Sequence, residues 1–206
     1  MTTTAASPSE TIRRLSDDAF KLHQITELSR NGVFRSWRCG RPDRGVYAFM
    51  ITTTPGCLII TGDIGDLIVE RMYDMLPWCR RSVDSTSYFA SKVPSAIPTK
   101  EFSEQKCREW IQEQIAEIGG REWMNYVRDE ASRHRLLEVL DDAMGDLNSG
   151  EHGDQHMYTA TSEVWQGNDP PNFMDWNSNF LWCRDAIRWF VTHHDEPEIT
   201  PSGTPS

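Results

Sequence analysis

No run of about 18 apolar residues occurs in the chain, so no membrane-spanning helix is expected. The opening stretch MTTTAASPSE lacks the basic and apolar regions of a secretory leader, and none is expected. Basic residues are few. Lys and Arg number 21 against 31 Asp and Glu, a net charge of −10. That balance argues against direct binding to nucleic acid or an anionic membrane, both of which need basic patches, and it suits a partner with a basic surface, or simple solubility. No C-x-x-C pair exists among the five cysteines, Cys39, Cys57, Cys79, Cys107 and Cys183. Zinc-ligand spacing is therefore absent, and an odd, scattered set fits free thiols in a reducing cytosol. Neither G-x-G-x-x-G nor G-x-x-x-x-G-K-[ST] is found, and no nucleophile stands beside a base. Internal repeats are missing, and only the tails are low in complexity.

At 206 residues the chain is long enough to bury a core without staples. Residues 1–10 and 195–206 are rich in Ser, Thr and Pro and are expected as disordered tails, leaving 11–194 as one α+β domain. Phe20 to Leu28 is ambiguous between strand and helix and is read as a strand, with Asn31-Gly32 as the turn after it. Val33 to Cys39, Val46 to Thr54 and Cys57 to Thr61 complete an antiparallel sheet of about four strands over residues 20–61. Pro55-Gly56 closes its best-defined hairpin. Because Cys57-Leu58-Ile59-Ile60 is apolar throughout, that strand is expected to be internal.

Asp63 can cap a helix over residues 64–76 whose apolar face is Ile64, Leu67, Ile68, Met72, Met75 and Leu76, with Pro77 as its stop. The sheet part thus runs to about residue 80, and a helical part fills about 81–194. That part has helices near 102–118, 123–147 and 172–192 and a short turn near 87–92. Between the last two helices lies a long polar connection, Gly150 to Pro171, holding a short helix near Thr161–Trp165.

On the expected central helix, Asp63, Asp66, Glu70 and Asp74, with Tyr73, would form one acidic side. Like charges four residues apart repel by a few tenths of a kcal/mol per pair, so a divalent metal, an Arg such as Arg71 or Arg35, or a basic partner would offset them. Simple solvation would produce the same pattern. Trp182 and Trp189 lie off the apolar face of the last helix and, if exposed, would serve as interface anchors. His152, Asp154 and His156 have ligand chemistry at short spacing, but a polar loop is the simpler account. His193-His194 suits the negative end of the last helix.

The stretch Thr52 to Arg71, TTTPGCLIITGDIGDLIVER, followed by Asp74 to Arg80, DMLPWCR, resembles a group of uncharacterised proteins encoded by bacteriophages and prophages. The likeness covers about Trp37 to Phe89 and carries no catalytic motif. It implies a phage product in the host cytoplasm, of the kind that binds host machinery, defence systems included. The resulting expectation is a non-enzymatic protein without cofactor that binds a host or phage macromolecule. The alternatives are a metal-dependent enzyme acting on nucleic acid or nucleotides through Asp63, Asp66, Glu70 and Asp74, and a structural homo-oligomer.

Overall fold

The computed structural model describes residues 7–120, 127–149, 162 and 171–194. These divide into two compact units, one within Met1–Thr99 and Trp176–Ser206 and the other within Lys100–Asp175. In the first unit, helix α1 (Pro8–Phe20) precedes strands β1 (Gln24–Asn31), β2 (Phe34–Gly40), β3 (Phe49–Thr54), β4 (Cys57–Gly62) and β5 (Leu67–Glu70). Helices α2 (Met75–Ser82) and α3 (Thr86–Ala90) follow, and α6 (Ser178–His193) returns to the same unit. The architecture is α+β, and the sheet is an antiparallel meander in the order β1-β2-β3-β4-β5. It has five strands where about four were expected.

Residues 8–10, expected in the tail, instead open α1. Ser7 caps the helix: its Oγ accepts the Glu10 N–H at 3.3 Å while the Glu10 carboxylate accepts the Ser7 N–H at 3.0 Å, with Pro8 in the first turn. Ile12, Ser16 and Phe20 form its buried stripe, so Phe20 ends a helix rather than starting a strand. The two hairpins turn at Gly32 and Gly56, whose φ values of 61° and 80° suit glycine.

The main correction lies at residues 64–76. Gly62 and Gly65 hold φ of 147° and 105°, and a Cβ on Gly62 would sit 2.4 Å from the Ala48 carbonyl oxygen. Gly62 ends β4, Gly65 at its φ breaks the expected helix, and the chain turns back instead so that Leu67, Ile68 and Val69 pair with Ile60, Ile59 and Leu58. Leu67 and Val69 are buried while Ile68 is half-buried and Glu70 exposed, a period of two. The helix begins only at Met75, where Asp74 Oδ1 accepts the Leu76 N–H at 3.3 Å. Pro77, read as a stop, occupies the first turn, where a missing N–H costs nothing.

Alternate residues of the sheet, among them Trp37, Phe49, Ile51, Leu58, Ile60 and Val69, face a core shared with α1, α2, α3 and α6. Helix α6 is buried nearly all round, and its buried set includes Arg184 and Asp185. Asp185, with 0% exposure, accepts Arg184 Nη2 at 2.7 Å and Ser16 Oγ of α1 at 3.2 Å, and Arg188 Nε lies 3.7 Å away. Arg184 Nη1 also donates to Thr86 Oγ1 on α3.

The second unit contains β6 (Lys100–Phe102), α4 (Glu104–Gly119), α5 (Glu130–Ser149) and most of β7 (Met174–Trp176), with β6 and β7 paired. Cys107, Ile111, Ile118, Leu140, Leu147 and Phe173 belong to its own core. The short helix expected near Thr161–Trp165 lies outside the described residues, Ser162 excepted. No described helix is long and apolar enough to cross a membrane.

Removing one member of a buried ion pair leaves the other charge uncompensated. Asp185→Ala is therefore expected to lower unfolding stability by about 3–5 kcal/mol in urea titration, with Ser16→Ala costing about 1–2 kcal/mol.

Candidate functional site

The acidic row does not exist as a helix face. Asp66 precedes β5 and Glu70 ends it, so four residues of extended chain, about 13 Å, separate them. Asp63 lies in the β4–β5 turn beyond Asp66, while Tyr73 and Asp74 follow Glu70 at the opposite end of the strand. The carboxylates therefore form two groups, each with different surroundings.

Asp74 is structural. It caps α2 and pairs with Arg35, whose Nη2 lies 2.9 Å from Asp74 Oδ2; the two side chains are 1% and 23% exposed. Arg35, one of the two arginines considered as counter-charges, fills that role for Asp74. Glu70 is exposed and borders a shallow groove of about 440 Å³ with Arg71, Ser91 and Lys92. Its charge, with burial as the larger cause, raises the Cys57 thiol above its ordinary value, offset in part by a hydrogen bond from Thr54. Tyr73 is exposed, and its carbonyl accepts the Gly56 N–H at 3.2 Å.

Trp189 is not a surface anchor. It is buried among Phe20, His23 and Phe49, with ring centroids 5.9–6.1 Å away, and stacks on His193. Trp182 is half-buried: one edge meets Phe20, and the ring lies parallel to Tyr47, 5.5 Å between centroids and 7° between planes.

Tyr47 is the residue that sequence patterning missed. Its φ of 60° is the only positive value at a non-glycine position among the described residues, and for a bulky side chain this conformation costs about 1 kcal/mol or more. Its carbonyl is held by the buried His23, whose Nε2 lies at 3.0 Å and must donate, since a carbonyl oxygen only accepts. The backbone is thereby fixed so that the ring, 42% exposed, covers Trp182. The next residue, Ala48, accepts the Asp63 N–H at 3.0 Å, which brings the acidic turn beside the same loop. Gly65 packs on Asn179 of α6, and the Cys183 thiol donates to the Ile64 carbonyl at 3.8 Å. The 41–48 loop, the β4–β5 turn and the start of α6 thus converge at one end of the sheet. They carry Tyr47, Trp182 and Asp63, with Asp66 at the margin. Neither carboxylate makes a hydrogen bond or ion pair with the described residues, and the neighbouring Val46 is exposed. No local sequence pattern marks a left-handed tyrosine, because the conformation is imposed by His23 and Trp182 from other elements.

His152, Asp154 and His156 lie outside the described residues, and among the described residues no group of three His, Cys, Asp or Glu side chains could hold a metal ion. The chain matches no family model, no curated protein and no solved structure.

The split of the acidic row has a direct consequence for stability. Asp74→Ala should cost about 2–4 kcal/mol, because it removes a helix cap and strands a buried guanidinium. Asp63→Ala and Asp66→Ala should stay within about 0.5 kcal/mol of the parent, all read by denaturant unfolding. Cysteine reactivity provides an independent check. Burial raises the Cys39 and Cys183 thiols to about 12 and Cys107 to about 11, and pushes Cys79 higher still. A raised thiol pKa means less thiolate at neutral pH and slower alkylation. Only Cys57, the one cysteine that is not buried, should label in the native protein, and all five after unfolding.

Proposed function

We propose that the chain is a non-enzymatic binding protein, phage-encoded as its central stretch suggests, whose contact surface is the loop end carrying Tyr47, Trp182 and Asp63. The observation that carries this reading is the strained Tyr47. A left-handed, exposed tyrosine is paid for by the rest of the fold without filling the core, and such strain concentrates where a side chain must be presented to something else. Stacked aromatic rings offer a rigid, low-entropy anchor, and the unpaired carboxylates of Asp63 and Asp66 beside them suit a partner with a basic surface. A host or phage protein fits that chemistry, and interference with a host defence system is the kind of action the resemblance implies. The metal-dependent enzyme reading would need Asp63, Asp66, Glu70 and Asp74 to converge, whereas β5 holds them in two groups and Arg35 already engages one.

Affinity capture from infected cells, followed by titration of the identified partner, tests this reading. Tyr47→Ala and Asp63→Lys should each weaken binding about tenfold or more, that is by about 1.4 kcal/mol, while circular dichroism spectra stay unchanged. The Asp63→Lys loss should shrink at high salt. Undiminished binding by both variants would remove this surface from consideration.

A further inference from the structure

The groove beside Glu70 gathers charges that the fold leaves unused. Glu70, Arg71, Ser91 and Lys92 form its polar lining, and Val93 and Pro94 its apolar part, around about 440 Å³. Gly56 of the β3–β4 turn borders it too, which puts the groove at the end of the sheet opposite the Tyr47 loop. In a chain of net charge −10, Arg71 and Lys92 have no ion-pair partner among the described residues. Their backbone is nevertheless fixed. The Arg71 N–H donates to the Gly56 carbonyl at 3.0 Å, the Glu70 N–H to the Lys92 carbonyl at 2.9 Å and the Lys92 N–H to the Phe89 carbonyl at 3.0 Å.

Both cations address one tyrosine. Lys92 Nζ stands 5.0 Å from the centre of the Tyr88 ring, and Arg71 acts on the hydroxyl of the same residue. That phenol is held below its ordinary value by the Trp78 indole N–H first and then, against burial, by Arg71 and Lys92. A more acidic hydroxyl is a stronger hydrogen-bond donor, and Tyr88 is 41% exposed. Glu70 belongs to the other side of the strand, where its charge, after burial, raises the Cys57 thiol. The groove is therefore cationic and donor-rich at one rim and carries a single carboxylate at the other.

A matching ligand has two negative charges at one end and hydroxyl groups at the other. A phosphate monoester, with a second pKa of about 6, is largely dianionic at neutral pH. A guanidinium grips such an oxyanion through two parallel N–H bonds, and an ammonium adds a point charge. The carboxylate at the far rim repels phosphate but accepts hydroxyl protons. The volume suits a small molecule, and an open, wet groove keeps the affinity modest.

We propose that this groove binds a small sugar phosphate, its phosphate between Arg71 and Lys92 and its hydroxyls toward Glu70. The Tyr47 surface is a different one, and this inference does not rest on it. Amide NMR titration of the full chain with ribose 5-phosphate or glucose 6-phosphate should move the Gly56, Arg71, Ser91 and Lys92 signals and saturate with a dissociation constant of about 0.1–1 mM. Inorganic phosphate should bind about tenfold more weakly, and ribose without phosphate should not bind. Arg71→Gln and Lys92→Gln should each weaken sugar-phosphate binding about tenfold, with melting temperatures near the parent because neither side chain is in the core, while Lys92→Arg retains most of the affinity. Glu70→Gln should narrow the gap between sugar phosphate and inorganic phosphate. No saturable shift with either sugar phosphate up to about 20 mM overturns the proposal, as do shifts centred away from the groove or binding that neither glutamine variant weakens. Equal affinity for inorganic phosphate and both sugar phosphates overturns it too, since the site would then read the anion alone.

Discussion

The first unit depends on one constraint: a helix buried almost all round that carries an arginine and an aspartate inside it. An unpaired carboxylate at the position of Asp185 would be prohibitive. Its position in the fold is therefore tied to that of the groups that neutralise it, Arg184 and Arg188 on its own helix and Ser16 on α1. Thr86 of α3 joins through Arg184. With α6 so located, its apolar residues meet the inner face of the sheet, and Trp37, Phe49 and Phe190 close the core around it. Polar satisfaction here sets the arrangement of three helices, and apolar burial supplies the driving force.

The segment from Gly62 to Arg80 shows how two periodicities can share one sequence. Ile64, Leu67, Ile68, Met72, Met75 and Leu76 fit a helical stripe, and the same letters contain Leu67-Ile68-Val69, a short strand rich in β-branched residues. Pairing with β4 decides between them, because the apolar edge of β4 would otherwise go uncovered and because Gly65 adopts an angle that no helix tolerates. Once that segment is a strand, the carboxylates separate by geometry alone. Asp74 becomes a cap and an ion-pair partner, and the others stay in solvent.

What is left over after folding is informative about function. Neither the left-handed Tyr47 nor the outward face of β2, β3 and β4, whose one charge is Arg38, is needed to build the core. The two features occupy different parts of the first unit, one at the loop end and one on the sheet. Trp182 joins the first only because Tyr47 is brought against it from a position 135 residues away in sequence.

The amino-acid sequence by itself determined the local chemistry: the Pro55-Gly56 hairpin, strands β2 to β4, the amphipathic character of α4 and the apolar weight of α6. Each of these follows from nearest-neighbour φ preferences and from side-chain periodicity, which act over a few residues. Only the tertiary structure decided that residues 67–70 pair as a strand, that Pro77 begins a helix, that Trp189 is buried, and that Asp74 belongs to Arg35. Those outcomes depend on which distant atoms cover an edge, neutralise a charge or pin a carbonyl, and no local pattern encodes the identity of those atoms.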